Sequence, residues 1–162
     1  TAKKISKQSH FTSLNAQINA ANIGYHTMNN YHDIDCTIIN ETELRHELRD
    51  RDRDIKELMK QLSKRMHAKI LVVTQGNDGA TLYESDNDKY YYCPAFAVKI
   101  VDKIGAGDAM LAMLTCALKC GFDADLSLFM GSLGATQSVE SIGNSIPVSK
   151  VQLLKTFSHA IK

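Results

Sequence analysis

The sequence predicts an α/β protein built on a mostly parallel sheet flanked by helices. Three observations predict it. Residues 34–39 (IDCTII) and 70–74 (ILVVT) are apolar, β-branched runs with little polar alternation, the pattern of strands covered on both faces. Other segments carry apolar residues at three- and four-residue steps, the stripe of an amphipathic helix. Finally, the two patterns alternate along the chain, which is the order of strands joined by crossover helices.

Taken in order, residues 1–9 are polar and basic and form a lead-in. Residues 11–14 make a short strand that runs into an amide-rich stretch from Asn15 to Asn22. Such a stretch can serve turn geometry or read a ligand, and turn geometry is the simpler account. A short helix is expected over 23–30, then the strand at 34–39. Residues 41–66 read as helix in two pieces, one striped by Leu44 and Leu48, the other by Ile55, Leu58, Met59, Leu62 and Met66. The alternating-charge run 49–54 between them is a solvated junction, capped by Asp50 or Asp52. The strand at 70–74 ends in a turn over 75–79, followed by an antiparallel pair, 80–84 and 89–93. One or two of the rings of Tyr90, Tyr91 and Tyr92 belong to the core. Helices follow over 109–119, about 126–139 behind Asp123, and to about 160 behind a Ser149 cap. Gly131, Gly134 and Ala135 share a face where another helix can pack closely.

The 162 residues allow one domain. A net charge of +1 and a pI of 7.7 point to neither nucleic acid nor an anionic membrane as partner. No apolar run is long enough to span a bilayer and no signal peptide is evident, so the expectation is a reduced, cytoplasmic protein. Cys36, Cys93, Cys116 and Cys120 include no Cys-x-x-Cys, and Cys116 and Cys120, four apart on a helix, are expected as small buried hydrophobes. The chain starts at Thr1 rather than Met and reads as a fragment or a processed product.

Chemistry is concentrated in Gly105-Ala106-Gly107-Asp108, just ahead of an apolar helix. Glycines let the backbone approach a ligand. The first helical turn offers free N–H groups and partial positive charge, so together they make an anion site. Asp108 is an odd neighbour for phosphate unless it accepts a proton from an attacking hydroxyl. The bare tetrapeptide fits an ordinary loop and helix cap equally well. No Gly-x-x-x-x-Gly-Lys-Ser/Thr occurs, and Met110 stands where a dinucleotide fingerprint has its third glycine.

The longer string Asp102-x-Ile104-Gly105-Ala106-Gly107-Asp108 resembles the C-terminal signature of the ribokinase-like, or PfkB, carbohydrate kinases. Asn40-Glu41-Thr42-Glu43 resembles that family's Asn-x-x-Glu motif, Thr74-x-Gly76-x-x-Gly79 its phosphate-bordering strand and turn, and residues 134–143 (GATQSVESIG) its adenine-side helix end and loop. Residues 15–31 are similar to members near the heptose-phosphate kinases, including those fused to a nucleotidyltransferase. The resemblance implies the C-terminal, nucleotide-binding half of a ribokinase-like fold. It implies phosphoryl transfer from ATP to a sugar or sugar-phosphate hydroxyl. Asp108 would be the base, with Gly105, Ala106 and Gly107 as the anion hole. Thr74, Gly76, Gly79, Gly134, Gln137, Ser138 and Gly143 would contact nucleotide. Asn40 and Glu43 would hold magnesium through water, and Asp102 and Ile104 would line a monovalent-cation site, for potassium.

The family's sugar-binding half, its lid strands and its Gly-Gly motif are not found in this sequence. Three readings stand: a piece of a larger kinase, which is favoured; a natural half that needs a partner; or a non-catalytic nucleotide-binding or assembly domain. The chain alone is then expected to be incomplete and inactive. A half-sheet leaves an edge strand, so a homo-oligomer is expected.

Overall fold

The computed structural model describes residues 9–15, 27–97, 100–102, 104–142 and 145–160. Strands β1 (Ser13–Asn15), β2 (Cys36–Asn40) and β3 (Ile70–Thr74) are parallel. Strands β4 (Ala80–Glu84) and β5 (Lys89–Cys93) continue the sheet antiparallel, in the spatial order β1-β2-β3-β4-β5. Helices α1 (Glu41–Leu48) and α2 (Ile55–Met66) cover one face. Helices α3 (Ala106–Lys119) and α4 (Ala124–Val139) cover the other, and α5 (Lys150–Ala160) ends the described chain.

Strand alternation sorts the core between two layers. Ile39, Leu71, Val73 and Tyr83 pack with Leu44, Leu58, Met59, Leu62 and Met66. Their strand neighbours Ile38, Ile70, Val72 and Leu82 pack with Met110, Leu114 and Leu128. Both faces are covered, which is why β2 and β3 read as unbroken apolar runs. Tyr90 and Tyr91 pack against opposite layers, while Tyr92 remains 60% exposed.

Particular side chains fix the joints. The Asp35 carboxylate accepts the Thr12 N–H at 2.8 Å and the Lys69 Nζ at 2.8 Å, gathering the starts of three parallel strands. Burial pushes this carboxyl up, but the bonds from Lys69 and Thr12 and the charges of Lys69 and Lys119 outweigh it and bring it below the ordinary range. On the far face, a Cβ on Gly134 would lie 2.7 Å from Met113 Cγ and 3.2 Å from the Ala109 carbonyl oxygen. The small residues on α4 therefore let it sit close against α3, as the sequence predicts.

Three expectations are corrected. Asp54 caps α2, accepting the Lys56 N–H at 2.9 Å; the carboxylate of Asp50 instead holds the loop, accepting from Asp52 N and Arg53 N. The reason is local: α1 closes at Arg49 in a left-handed conformation (φ 55°), so the chain makes a turn before α2 can begin. Cys116 and Cys120 are exposed, because the core side of α3 is taken by Met110, Leu114 and Ala117. The buried thiols are Cys36, which desolvation pushes up to about 12, and Cys93, which desolvation also raises. Helix α3 starts at Ala106, three residues before the predicted Ala109, because Gly105 (φ 84°) turns the chain straight into it. The helix expected over 23–30 lies largely outside the described residues, which show a 3₁₀ turn at Met28–Asn30.

Among the described residues, no helix is long and apolar enough to cross a membrane.

Candidate active site

The C-terminal ends of β2 and β3 lie side by side, since Asn40 registers with Thr74, and β1 ends two residues short of them on the same side of the sheet, Asn15 registering with Ile38. Neighbouring strands are roughly 4.8 Å apart, so the three strands span roughly 10 Å across the sheet. Open α/β sheets hold ligands at this edge. Leu14 packs into the α1–α2 layer, so Asn15, the next residue of the strand, faces the α3 layer. There its Nδ2 donates to Oδ1 of Asp108 at 3.0 Å. That bond ties the sequence-predicted base to the sheet edge.

Asp108 is the third residue of α3 and is exposed. The first amide to close a turn of this helix is that of Ala109, on the Gly105 carbonyl at 2.9 Å. The N–H groups of Ala106, Gly107 and Asp108 therefore precede the helical ladder. Gly105 and Gly107 differ in what the fold asks of them. Gly105, at φ 84°, is required by its backbone. Gly107 has no positive φ, and among the described residues a Cβ there would meet only Asn15 Nδ2, at 3.5 Å, an ordinary contact.

Asn40 and Glu43 form a reciprocal capping box at the start of α1. Asn40 Oδ1 accepts the Glu43 N–H at 2.8 Å, and Glu43 Oε2 accepts the Asn40 N–H at 3.1 Å. The Asn-x-x-Glu motif is thus visible as local geometry at the end of β2. The turn after β3 is stitched to it by Gln75, whose Nε2 donates to Glu41 Oε2 at 3.1 Å while its Oε1 accepts from Thr81 Oγ1 at 3.2 Å. Within that turn Gly79 is demanded by packing, because a Cβ would lie 2.2 Å from the Cys93 carbonyl oxygen. Gly76 (φ 61°) faces open space.

Asp102 Oδ1 accepts the Ile104 N–H at 3.0 Å, so the two residues expected at a monovalent-cation site share one turn. The Val139 carbonyl, at the end of α4, accepts from both Val101 N (2.8 Å) and Asp102 N (3.1 Å). This brings the approach to α3 beside the segment after α4, where Val101, Ile104 and Ile142 are exposed apolar side chains. Gln137 is committed to the start of α5: its Oε1 accepts the Ser149 N–H at 2.7 Å and its Nε2 donates to the Ser149 carbonyl at 3.4 Å. Ser138 is buried, and its carbonyl accepts from the Ser141 hydroxyl at 3.2 Å. Gly134 is buried against α3. Of these expected nucleotide contacts, Gln137 and Ser138 therefore shape the segment after α4, Gly134 packs on α3, and Gly143 lies outside the described residues.

A concavity of about 660 Å³ lies elsewhere, between α1 and the junction, lined by Thr42, Arg45, His46, Arg49 and Arg51 among others. Arg45 there is spent on Glu41 and on the carbonyls of Arg51 and Arg53, so it closes the loop. Among the described residues no three His, Cys, Asp or Glu side chains converge as a metal cage.

The pfkB family carbohydrate kinase pattern matches residues 5–151, nearly the whole chain. The chain belongs to the pfkB family of carbohydrate kinases. Among curated family relatives, the bifunctional protein HldE of Bradyrhizobium diazoefficiens is 34% identical over 90 residues, which is 56% of this chain and 18% of that protein. The 5-dehydro-2-deoxygluconokinase of Clostridium tetani is 35% identical over 89 residues, 55% of this chain and 26% of that one. In structure the chain resembles Escherichia coli phosphofructokinase-2, solved with substrates and products, with a TM-score of 0.80 and 18% identity over 99% of this chain and 51% of that one. Ribokinase from Thermotoga maritima gives a TM-score of 0.76 and 18% identity, covering 96% and 52%. The chain thus spans about half the length of these two solved structures. Phosphofructokinase-2 has also been solved in complex with potassium.

The structure also brings Asn15, Glu41 and Gln75 into the hydrogen bonding at this edge, and the sequence reading gave none of them a role of its own. The amide-rich composition around Asn15 was the only signal for any of them.

Proposed function

We propose that this chain is the nucleotide-binding and catalytic half of an ATP-dependent kinase acting on a sugar or sugar-phosphate hydroxyl. Gly107 is the observation that carries this reading. The fold has room for a side chain there, and glycine costs a helix about 1 kcal/mol relative to alanine. A glycine that neither packing nor φ requires, at the N-terminus of a helix beside an exposed carboxylate, is explained by a ligand that must reach the backbone.

In this reading the acceptor hydroxyl attacks the γ-phosphorus of ATP, its proton passes to Asp108, and the bond to the β-phosphate oxygen breaks to release ADP. The N–H groups of Ala106 and Gly107, with that of Gly105 or Asp108, face the charge that develops on the phosphoryl oxygens. Thr74 and Gly76 border the phosphates. Val101, Ile104 and Ile142 offer an apolar flank for the base, and Gln137, Ser138 and Gly134 support that flank from behind. Magnesium, when bound, neutralises phosphate charge. The residues fit it at one remove: Asn40 Oδ1 and Glu43 Oε2 already accept hydrogen bonds within the capping box, so they would act through water, the manner in which magnesium is commonly held. The turn at Asp102 and Ile104 is the place for a potassium ion. A sugar pocket would be supplied by residues outside this chain.

The test is transfer of the γ-phosphate of radiolabelled ATP to ribose, fructose 6-phosphate or a heptose phosphate by the natural full-length protein. Asp108→Asn is expected to slow transfer by about 10²–10⁴-fold while nucleotide still binds. Near wild-type turnover by that variant would remove Asp108 from the role of base. Binding of nucleotide with no transfer to any acceptor would favour the second reading, a non-catalytic nucleotide-binding or assembly domain.

A further inference from the structure

Asn15 is the last residue of β1 and lies 93 positions before Asp108, yet its side chain reaches the one carboxylate on which the reaction above depends. Strand alternation turns it toward α3, and the register of β1 on β2 fixes where it stands along the sheet edge. Among the described residues it caps nothing: its contact is with the Asp108 side chain, and it serves no backbone N–H of α3. Only one orientation of the amide is compatible with the contact. The reversed amide would set its carbonyl oxygen against a carboxylate oxygen, two acceptors with no proton between them.

We propose that Asn15 is a positioning residue for Asp108. Its Nδ2–H holds Oδ1, fixes the rotation of the carboxylate, and leaves Oδ2 as the oxygen presented to the acceptor hydroxyl. The proton released by the hydroxyl then goes to Oδ2, and the electron pair left on the hydroxyl oxygen forms the new bond to phosphorus as the bond to ADP breaks. An amide suits this post because it donates without titrating. An aspartate there would place a second negative charge about 3 Å from the base. The proposal rests on the assignment of Asp108 as base.

The test uses the natural full-length protein, with the acceptors named above. Asn15→Ala is expected to lower kcat about 10–100-fold, the range for residues that orient a reacting group, with the KM for ATP within about twofold. Asn15→Asp, nearly isosteric but unable to donate, should be at least as slow as Asn15→Ala. The double variant Asn15→Ala/Asp108→Asn should be no slower than Asp108→Asn alone, because groups that act as a unit do not add. A wild-type kcat in Asn15→Ala, or a full additional loss in the double variant, overturns the proposal and leaves Asp108 as base. An active Asp108→Asn overturns the base assignment itself, and this proposal with it. The contact can also be read without turnover. In this chain the Asn15 side-chain amide signals in a ¹H–¹⁵N spectrum should move in Asp108→Ala, and their indifference to that substitution would contradict the hydrogen bond.

Discussion

At the scale of single residues, the glycines separate fold from function. Gly79 sits at φ 87°, ψ −137°, with the Cys93 and Pro94 backbone where a Cβ would go. Gly76, three residues earlier in the same motif, has φ 61° and open space. Gly79→Ala is therefore expected to cost about 3 kcal/mol or more, and Gly76→Ala about 1 kcal/mol, in denaturant unfolding of this chain. Equal costs would mean that the turn relaxes around Gly79. Motif spacing makes Gly76 and Gly79 look alike, because a string of letters holds no record of which glycine β5 returns upon. Asp108 stands out in the sequence as a candidate, since a carboxylate at a glycine-rich helix start asks for a chemical reason. Its partner Asn15 was not, because a contact across 93 residues leaves no local pattern.

At the scale of elements, the strands and helices were legible where periodicity is set by burial. Strands β3, β4 and β5 match their predicted bounds, since both the apolar runs and the turns at 75–79 and 85–88 mark their ends. Helix α3 was placed three residues late, because a Gly-Ala-Gly start carries no side-chain cap to announce it. The exposed pair Cys116 and Cys120 shows the complementary limit: i,i+4 spacing says that two residues share a face, and not which face the core takes. The joint at Asp35 gives a pH-dependent prediction. A folded-state pKa below the ordinary aspartate value of about 3.9 contributes stability that is complete above that value. It is lost as pH falls through the lower, folded-state value. Lys69, raised by its hydrogen bond to Asp35, contributes stability that is complete below its ordinary value of about 10.4 and is lost as pH rises beyond it. Asp35→Asn is therefore expected to lower stability by about 1 kcal/mol near neutral pH. The gap to wild type should close as both are acidified below pH of about 4. A gap that persists at pH of about 2 would assign the effect to packing instead.

At the scale of the whole molecule, the sheet places three strand ends and one helix start along a single edge, and the motifs far apart in sequence meet there. Fold class and motif order were legible because each motif sits at a junction that the strand–helix alternation predicts. The exposed apolar residues Val101, Ile104 and Ile142 fall on the two segments joined at the Val139 carbonyl, which is a property of tertiary packing. The central claim is that this edge is a nucleotide phosphate site reached through the backbone at Gly107. The measurement that tests it most directly is thermal unfolding of this chain with and without a non-hydrolysable ATP analogue and magnesium, for wild type, Asp108→Asn and Gly107→Val. A ligand at about 100 times its Kd adds roughly 2.7 kcal/mol to a protein that it binds only when folded. The account predicts that stabilisation in wild type and in Asp108→Asn, and its loss in a Gly107→Val chain that still folds, since the structure has room for that Cβ. Equal stabilisation of Gly107→Val, or none in wild type, would contradict it.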